Sequence, residues 1–216
     1  MTKKYEIIGS SSSGNAMLYH NSILVDCGLP FIKIEPYIDN IKIILLTHVH
    51  GDHFNRSTLS RISSEHPNII LCVPQHMAEI VSELHLQMPT YILIPGKKYV
   101  FLGNVFIEPF KLFHDVPNVG YKIIDSNNYK IVHATDTNMI SHVNAKNFDL
   151  YAIEHNHDED LLMADVMKKL HDGVFTHEIR SKETHLSFQK ASDWIMSMRK
   201  EDSEVVLLHV SSKYLE

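Results

Sequence analysis

The stretch Ile41-Lys42-Ile43-Ile44-Leu45-Leu46-Thr47-His48-Val49-His50-Gly51-Asp52-His53 decides how this chain is read. Its opening run is too continuously apolar for a strand with one wet face, so it is expected to be a strand buried on both faces. Directly after it come four metal-competent side chains, His48, His50, Asp52 and His53, within six positions. In an extended segment residues two apart point the same way, so His48 and His50 can reach one ion together. Gly51 is expected to permit a tight reversal. Asp52 and His53 can then be aimed at a second ion, on the order of 3.5–4 Å from the first in two-metal sites. Imidazole and carboxylate donors without thiolate suit zinc, and also manganese or iron. A solvated polar loop would account for one such histidine but not for this whole pattern, and no HExxH helix or CxxC pair competes for the role.

Working outward, short apolar runs separated by turn residues precede this stretch: Tyr5–Ile8, Ala16–Tyr19 and Ile23–Asp26 read as an antiparallel meander. A helix is expected between Phe31 and Ile38. After the cluster, Asn55 and Ser57 can cap a helix running toward Ser64, Ile69–Val73 is a second buried strand, and Pro74 opens a helix carrying Met77, Ile80, Val81 and Leu84. Strand patterns return at 91–94, 99–101, 105–107, 121–124 and 130–132. The last third alternates a strand at 150–153, helices at about 160–170 and 187–198, and a strand at 205–208. No linker or repeat interrupts this pattern, so one α/β domain over 1–216 is expected.

The 216 residues are ordinary at 44% hydrophobic and 21% charged, but they contain 16 histidines against 20 Lys and Arg together. A net charge of −6 argues against coating nucleic acid or membrane through bulk positive charge, so a polyanionic substrate would have to be held locally. No run of 18 or more apolar residues occurs, and Met1–Tyr5 leads into a strand pattern rather than a secretion signal. Cys27 and Cys72 lie in apolar runs and read as buried thiols of a reducing compartment, which implies a cytoplasmic protein without a membrane role.

His48-Val49-His50-Gly51-Asp52-His53 after an apolar strand resembles the HxHxDH signature of the metallo-β-lactamase superfamily. That resemblance implies an αββα sandwich with mixed sheets and metals at the sheet edges. It also supplies further ligands. His114, shortly before Gly120-Tyr121, resembles the third motif of RNase Z-like and YycJ/WalJ-like members. Asp136, in His133-Ala134-Thr135-Asp136-Thr137, stands where the superfamily places its bridging aspartate, and His209 matches the final ligand. The implied set is His48, His50 and His114 on one ion, Asp52, His53 and His209 on the other, and Asp136 between them. Gly9-Ser10-Ser11-Ser12-Ser13-Gly14-Asn15-Ala16, Asp26-Cys27-Gly28, Ile153–Asp158 and Thr184–Ser187 are similar to the YycJ/WalJ-like subgroup and its phage relatives. In the RNase Z-like branch a histidine placed as His185 contacts the scissile phosphate and can donate a proton, which a departing alkoxide needs. His157 could line the site or orient a ligand together with Glu154, and Asp52 counts among the catalytic residues as well as the ligands. Asp26 is expected to support the metal loop, and most other histidines to be solvated.

The reading that follows is a dinuclear metal-dependent phosphodiesterase or nuclease acting on nucleic acid, DNA favoured, through a metal-bridged hydroxide. The same ligands would serve hydrolysis of a small ester, thioester, lactone or cyclic phosphate. A metal-stabilised binding module without activity is the third possibility, and seven candidate ligands without a cysteine argue against it. The length leaves no room for the β-CASP domain of RNase J relatives, and no substrate-binding arm like that of RNase Z is evident between His53 and His114. A diiron redox member would carry Glu in place of His50.

Overall fold

The computed structural model describes residues 4–171 and 183–211. They fall into two compact units, Met1–Lys97 and Lys98–Glu216, each built on one six-stranded sheet. His177 and Ser212 lie outside the described residues.

In the first unit, β1 (Tyr5–Ser11), β2 (Gly14–Tyr19) and β3 (Ile23–Val25) form the expected antiparallel meander. Then β4 (Ile43–Leu45), β5 (Ile70–Pro74) and β6 (Thr90–Leu93) add in parallel, in spatial order β1-β2-β3-β4-β5-β6. All three residues of β4 are buried between parallel neighbours, the physical reason for the unbroken apolar run. Parallel pairing requires crossovers, and these are helical. The side chain of Asn55 accepts from the Thr58 amide and starts α2 (Arg56–Glu65).

The expected helix at 31–38 is shorter and changes type: α1 (Phe31–Ile34) passes into a 3₁₀ segment, Glu35–Asn40. Pro36 has no amide hydrogen to continue the α ladder, and the tighter turn absorbs the interruption. Pro74 likewise leads into a 3₁₀ turn, Gln75–Met77, before α3 (Ala78–Ser82). Phe31, Ile34, Leu59, Ile62, Met77 and Val81 pack in one cluster with Leu24, Ile44 and Leu71. Burial of each such side chain contributes about 1.5–3 kcal/mol.

The second unit repeats the plan. β7 (Tyr99–Phe101), β8 (Val105–Phe113), β9 (Pro117–Ile124) and β10 (Lys130–Ala134) are antiparallel, and β11 (Leu150–Glu154) and β12 (Glu204–Leu208) follow in parallel. β8 and β9 run longer than the apolar clusters at 105–107 and 121–124, because they pair residue for residue from Phe106↔Ile124 to Phe113↔Pro117. α4 (Glu159–His171) and α5 (Phe188–Met198) occupy the crossover region, and the Ser187 side chain caps α5 by accepting from the Lys190 amide. Trp194 of α5 packs in one cluster with Val132, Tyr151 and Ile153, and its indole donates to the Val143 carbonyl at 3.1 Å.

In both units the parallel strands deliver their loops at carboxyl ends, where α/β sheets gather binding groups. Asp26 follows β3, Thr47–His53 follow β4, Asp136 follows β10, Glu154–His157 close β11, and His209 follows β12.

Candidate metal centre

In the first unit the loop after β4 is organised by one buried carboxylate. Asp26 is 1% exposed, and it accepts from the Thr47 amide at 2.9 Å, from the Thr47 hydroxyl at 2.8 and 3.0 Å, and from His53 Nδ1 at 2.6 Å. Thr47 Oγ1 also lies 3.0 Å from His48 Nδ1, so one acid steers two imidazoles. Burial pushes the Asp26 carboxyl up, and the bonds from His53 and Thr47 oppose that rise. The His48 ring lies 4.8 Å from that of His50 and 4.2 Å from that of His53.

The reversal is made differently from the expectation. Gly51 is not in the left-handed region, and a Cβ there would meet nothing within 4 Å. The turn closes instead through His53 N and Phe54 N donating to the His50 carbonyl at 3.0 and 2.8 Å. The indispensable glycine is Gly28, where a Cβ would stand 1.7 Å from the Asp52 carbonyl oxygen.

In the second unit Glu154 plays the part of Asp26. It is fully buried, its Oε2 accepts from the amides of Thr137 and Leu186 at 3.0 and 3.2 Å, and its Oε1 accepts from His185 Nδ1 at 2.6 Å. His209 Nδ1 lies 3.4 Å from the same Oε1, and Asn156 donates to the His209 carbonyl at 3.1 Å. His114 Nδ1 donates to the Thr184 carbonyl at 3.0 Å. Asp136, Glu154, His185 and His209 each offer a donor atom within 4.8 Å of the others. The His185 ring stacks on His209 at 5.2 Å and meets the ring of His114 edge-on at 5.2 Å.

Charge in this cluster is ordered by those contacts. Burial would raise the Glu154 carboxyl, but the hydrogen bonds from His185 and His209 outweigh it and hold Glu154 below its ordinary value. Burial would lower His185, but the Glu154 hydrogen bond and charge, with Asp136, hold it above the ordinary histidine value. His114 and His157 are pushed down by burial. Asp26, Asp136 and His209 all take left-handed φ, at 62°, 54° and 51°. Such backbone costs about 1–3 kcal/mol per residue and persists where surrounding bonds over-determine it. At Asp136 the bonds come from Asn118, which donates to the carbonyls of Thr135 and Asp136 at 2.9 and 2.7 Å.

The donor set fits divalent metal. His48, His53 and His114 each turn Nδ1 toward a protein oxygen, the arrangement that leaves Nε2 as the coordinating nitrogen and fixes the ring. The candidate donors His48, His50, Asp52 and His53 of the first unit sit on one loop; in the second unit His114, Asp136 and His209 come from strand ends and His185 from the turn before α5. Among the described residues no hydrogen bond joins His157 to Glu154, whose imidazole partners are His185 and His209, and its buried Nδ1 has no hydrogen-bond partner there. Glu154 as the anchor of His185, Thr47 as the link to His48, and Asn156 and Asn118 as backbone clamps carried no signal in the sequence. Each acts on a residue far along the chain, except Thr47, whose role depends on Asp26.

Two mixed sheets with helical crossovers and histidine-rich strand ends define the metallo-β-lactamase fold, and the chain belongs to the β-lactamase superfamily: the superfamily-domain profile matches residues 21–210. Within the superfamily the chain is similar to YycJ. It is 27% identical to exodeoxyribonuclease YycJ of Bacillus anthracis, covering 73% of this chain and 64% of that protein's length. The short form of human tRNase Z superposes with a TM-score of 0.70 at 19% identity, over 98% of this chain and 94% of that one. Zinc-bound PqqB from Methylobacterium extorquens does so with a TM-score of 0.70 at 13% identity, over 96% and 89%. The fold implies binding of divalent metal. No helix among the described residues is long and apolar enough to cross a membrane.

Proposed function

We propose that this chain is a hydrolase that uses two divalent cations, zinc by expectation, to cut phosphodiester bonds in nucleic acid, with DNA the favoured substrate. Its two units would act as one catalytic domain. His48, His50 and His114 would hold one ion, Asp52, His53 and His209 the other, and Asp136 would bridge. Support for the substrate class comes from the likeness to an exodeoxyribonuclease, and support for the ligands from the Nδ1 contacts of His48, His53 and His114 that reserve Nε2. Bound cations would supply Lewis acidity toward phosphate oxygens and lower the pKa of water. The buried unpaired thiols Cys27 and Cys72, both pushed up in pKa by burial, fit a reducing, cytoplasmic setting.

The observation that carries the reading is the Glu154–His185 pair. A phosphodiester leaves behind an alkoxide, which departs readily only if a proton reaches it. Glu154 holds the Nδ1 proton of His185 at 2.6 Å and favours the imidazolium, so Nε2 is the atom that gives its proton to the leaving oxygen. Asp52 is both ligand and acceptor for the proton of the attacking water. His157, kept neutral by burial, is a wall residue with one unused hydrogen-bonding nitrogen among the described residues.

Metal analysis combined with digestion of end-labelled single- and double-stranded DNA and of RNA tests this. Cleavage that needs metal and falls steeply with added salt is expected. Metal-loaded protein that degrades none of the three, while turning over a small ester, thioester, lactone or cyclic phosphate, would overturn it.

A further inference from the structure

Just after the serine-rich turn between β1 and β2 stands Asn15, the second residue of β2, to which neither the ligand set nor the proton-transfer pair gives a role. Asn15 is 5% exposed, and its backbone is tied into the metal loop: its amide donates to the Asp52 carbonyl at 2.7 Å, and its carbonyl accepts from Gly28 N at 2.9 Å. The side-chain nitrogen is crowded with acceptors. Nδ2 lies 2.9 Å from the Ser11 carbonyl, 3.3 Å from the Asp52 carbonyl, 3.2 Å from Asp52 Oδ2 and 2.8 Å from His53 Nε2. Three oxygen acceptors around one atom identify it as the nitrogen rather than the oxygen of the amide. His53 Nδ1 donates to Asp26, so His53 Nε2 presents a lone pair, and Asn15 donates to it.

That lone pair is the one a cation at His53 must take. An amide nitrogen has only two hydrogens for these four acceptors, so Asn15 can release His53 without losing a hydrogen bond. One N–H stays on the Ser11 carbonyl and the other swings to Asp52 Oδ2. Resting on the two-cation reading above, we propose that Asn15 is the positioning residue of the Asp52/His53 metal position. It keeps the His53 ring and the Asp52 carboxylate aligned while no cation is there, then transfers its N–H from His53 to Asp52 as the cation arrives. The transfer restrains the second carboxylate oxygen and leaves the first to the ion. Loading at this position is therefore an exchange of one donor for another.

The test is zinc competition against a chromophoric chelator for wild type and Asn15→Ala. It is read with the denaturation midpoint of the metal-free proteins and the NMR signals of the Asn15 side-chain amide in wild type. Partners of metal ligands typically set affinity by about 10–100-fold. Expected are two zinc ions in wild type, one unchanged and one weakened about 10–100-fold in Asn15→Ala, and a shift of the wild-type amide signals with the second equivalent rather than the first. Two ions bound by Asn15→Ala with wild-type affinities, or amide signals indifferent to the second equivalent, would overturn the role of Asn15 while leaving the two-cation reading intact. A lower metal-free midpoint with unchanged zinc affinities would reduce Asn15 to a structural clamp. Wild type binding fewer than two ions would overturn the two-cation reading itself, and this proposal with it. Should Asn15→Ala fail to fold, the wild-type amide measurement decides alone.

Discussion

Glu154→Gln perturbs the proposed proton donor with almost no change of shape. In wild type Glu154 Oε1 accepts from His185 Nδ1 at 2.6 Å, and Oε2 accepts two backbone amides. The glutamine carbonyl can keep the two amides, which turns its NH₂ toward His185. Nδ1 must then become an acceptor, and the imidazole is left neutral with its hydrogen on Nε2. Hydrogen bonds to a charged group are worth about 1.5–3 kcal/mol, and one pKa unit corresponds to about 1.4 kcal/mol. The His185 pKa should therefore fall, and turnover of a substrate that needs acid assistance should drop by about 10–100-fold. The assay compares end-labelled DNA with a nitrophenyl phosphodiester, whose leaving group departs unprotonated. Measured at saturating zinc, because Glu154 Oε1 also lies 3.4 Å from His209 Nδ1, the DNA rate should fall by that factor and the nitrophenyl rate by less than about threefold. Equal losses on both substrates would refute the acid role, as would a variant that cleaves DNA like wild type.

Four further outcomes follow from the same geometry. Gly28→Ala forces a Cβ against the Asp52 carbonyl and should lower Tm by about 3–10 °C in a melting scan, whereas Gly51→Ala, with open space around it, should leave Tm within about 1 °C. Asp26→Asn removes the anionic acceptor of His53 and should weaken zinc binding about 10–100-fold in a chelator competition. Glu154 is held low and His185 high, so the stability due to Glu154 is present above about pH 4.5 and lost as pH falls through its lowered value, while that due to His185 is present below about pH 6.5 and lost as pH rises through its raised value. The difference in denaturation midpoint between wild type and Glu154→Gln should accordingly be largest between about pH 4.5 and 6.5 and shrink on both sides. Chelator treatment should abolish cleavage and lower Tm by about 5–10 °C, consistent with about 2.7 kcal/mol at a hundredfold excess over Kd, and added zinc should restore both.

Much of the architecture could be read along the chain because its causes are local. The buried run at 41–46 needs only continuous hydrophobicity, the cap at Asn55 only its position before a helix, and the loop cluster 48–53 only adjacency. Where the expectation and the molecule part, the cause is non-local or conformational. Pro36 converts the end of a helix to 3₁₀ geometry, and pairing with Ile107–Phe113 extends β9 back to Pro117, beyond its own apolar residues. Gly51 looked like the hinge of the metal loop, yet the close approach that only glycine permits is at Gly28, against a carbonyl 24 residues on.

By itself, then, the sequence determined the fold class and the identities of the candidate ligands, because strand burial, capping and a dense histidine motif are properties of neighbouring residues. The tertiary structure alone decided which nitrogen each histidine presents and which carboxylate governs it. Asp26 reaches His53 across 27 positions, brought there by the parallel register of β3 and β4, and Glu154 at the end of β11 reaches His185, in the turn before α5, across 31. A hydrogen bond selects a tautomer by position in space, and no spacing in the chain records it.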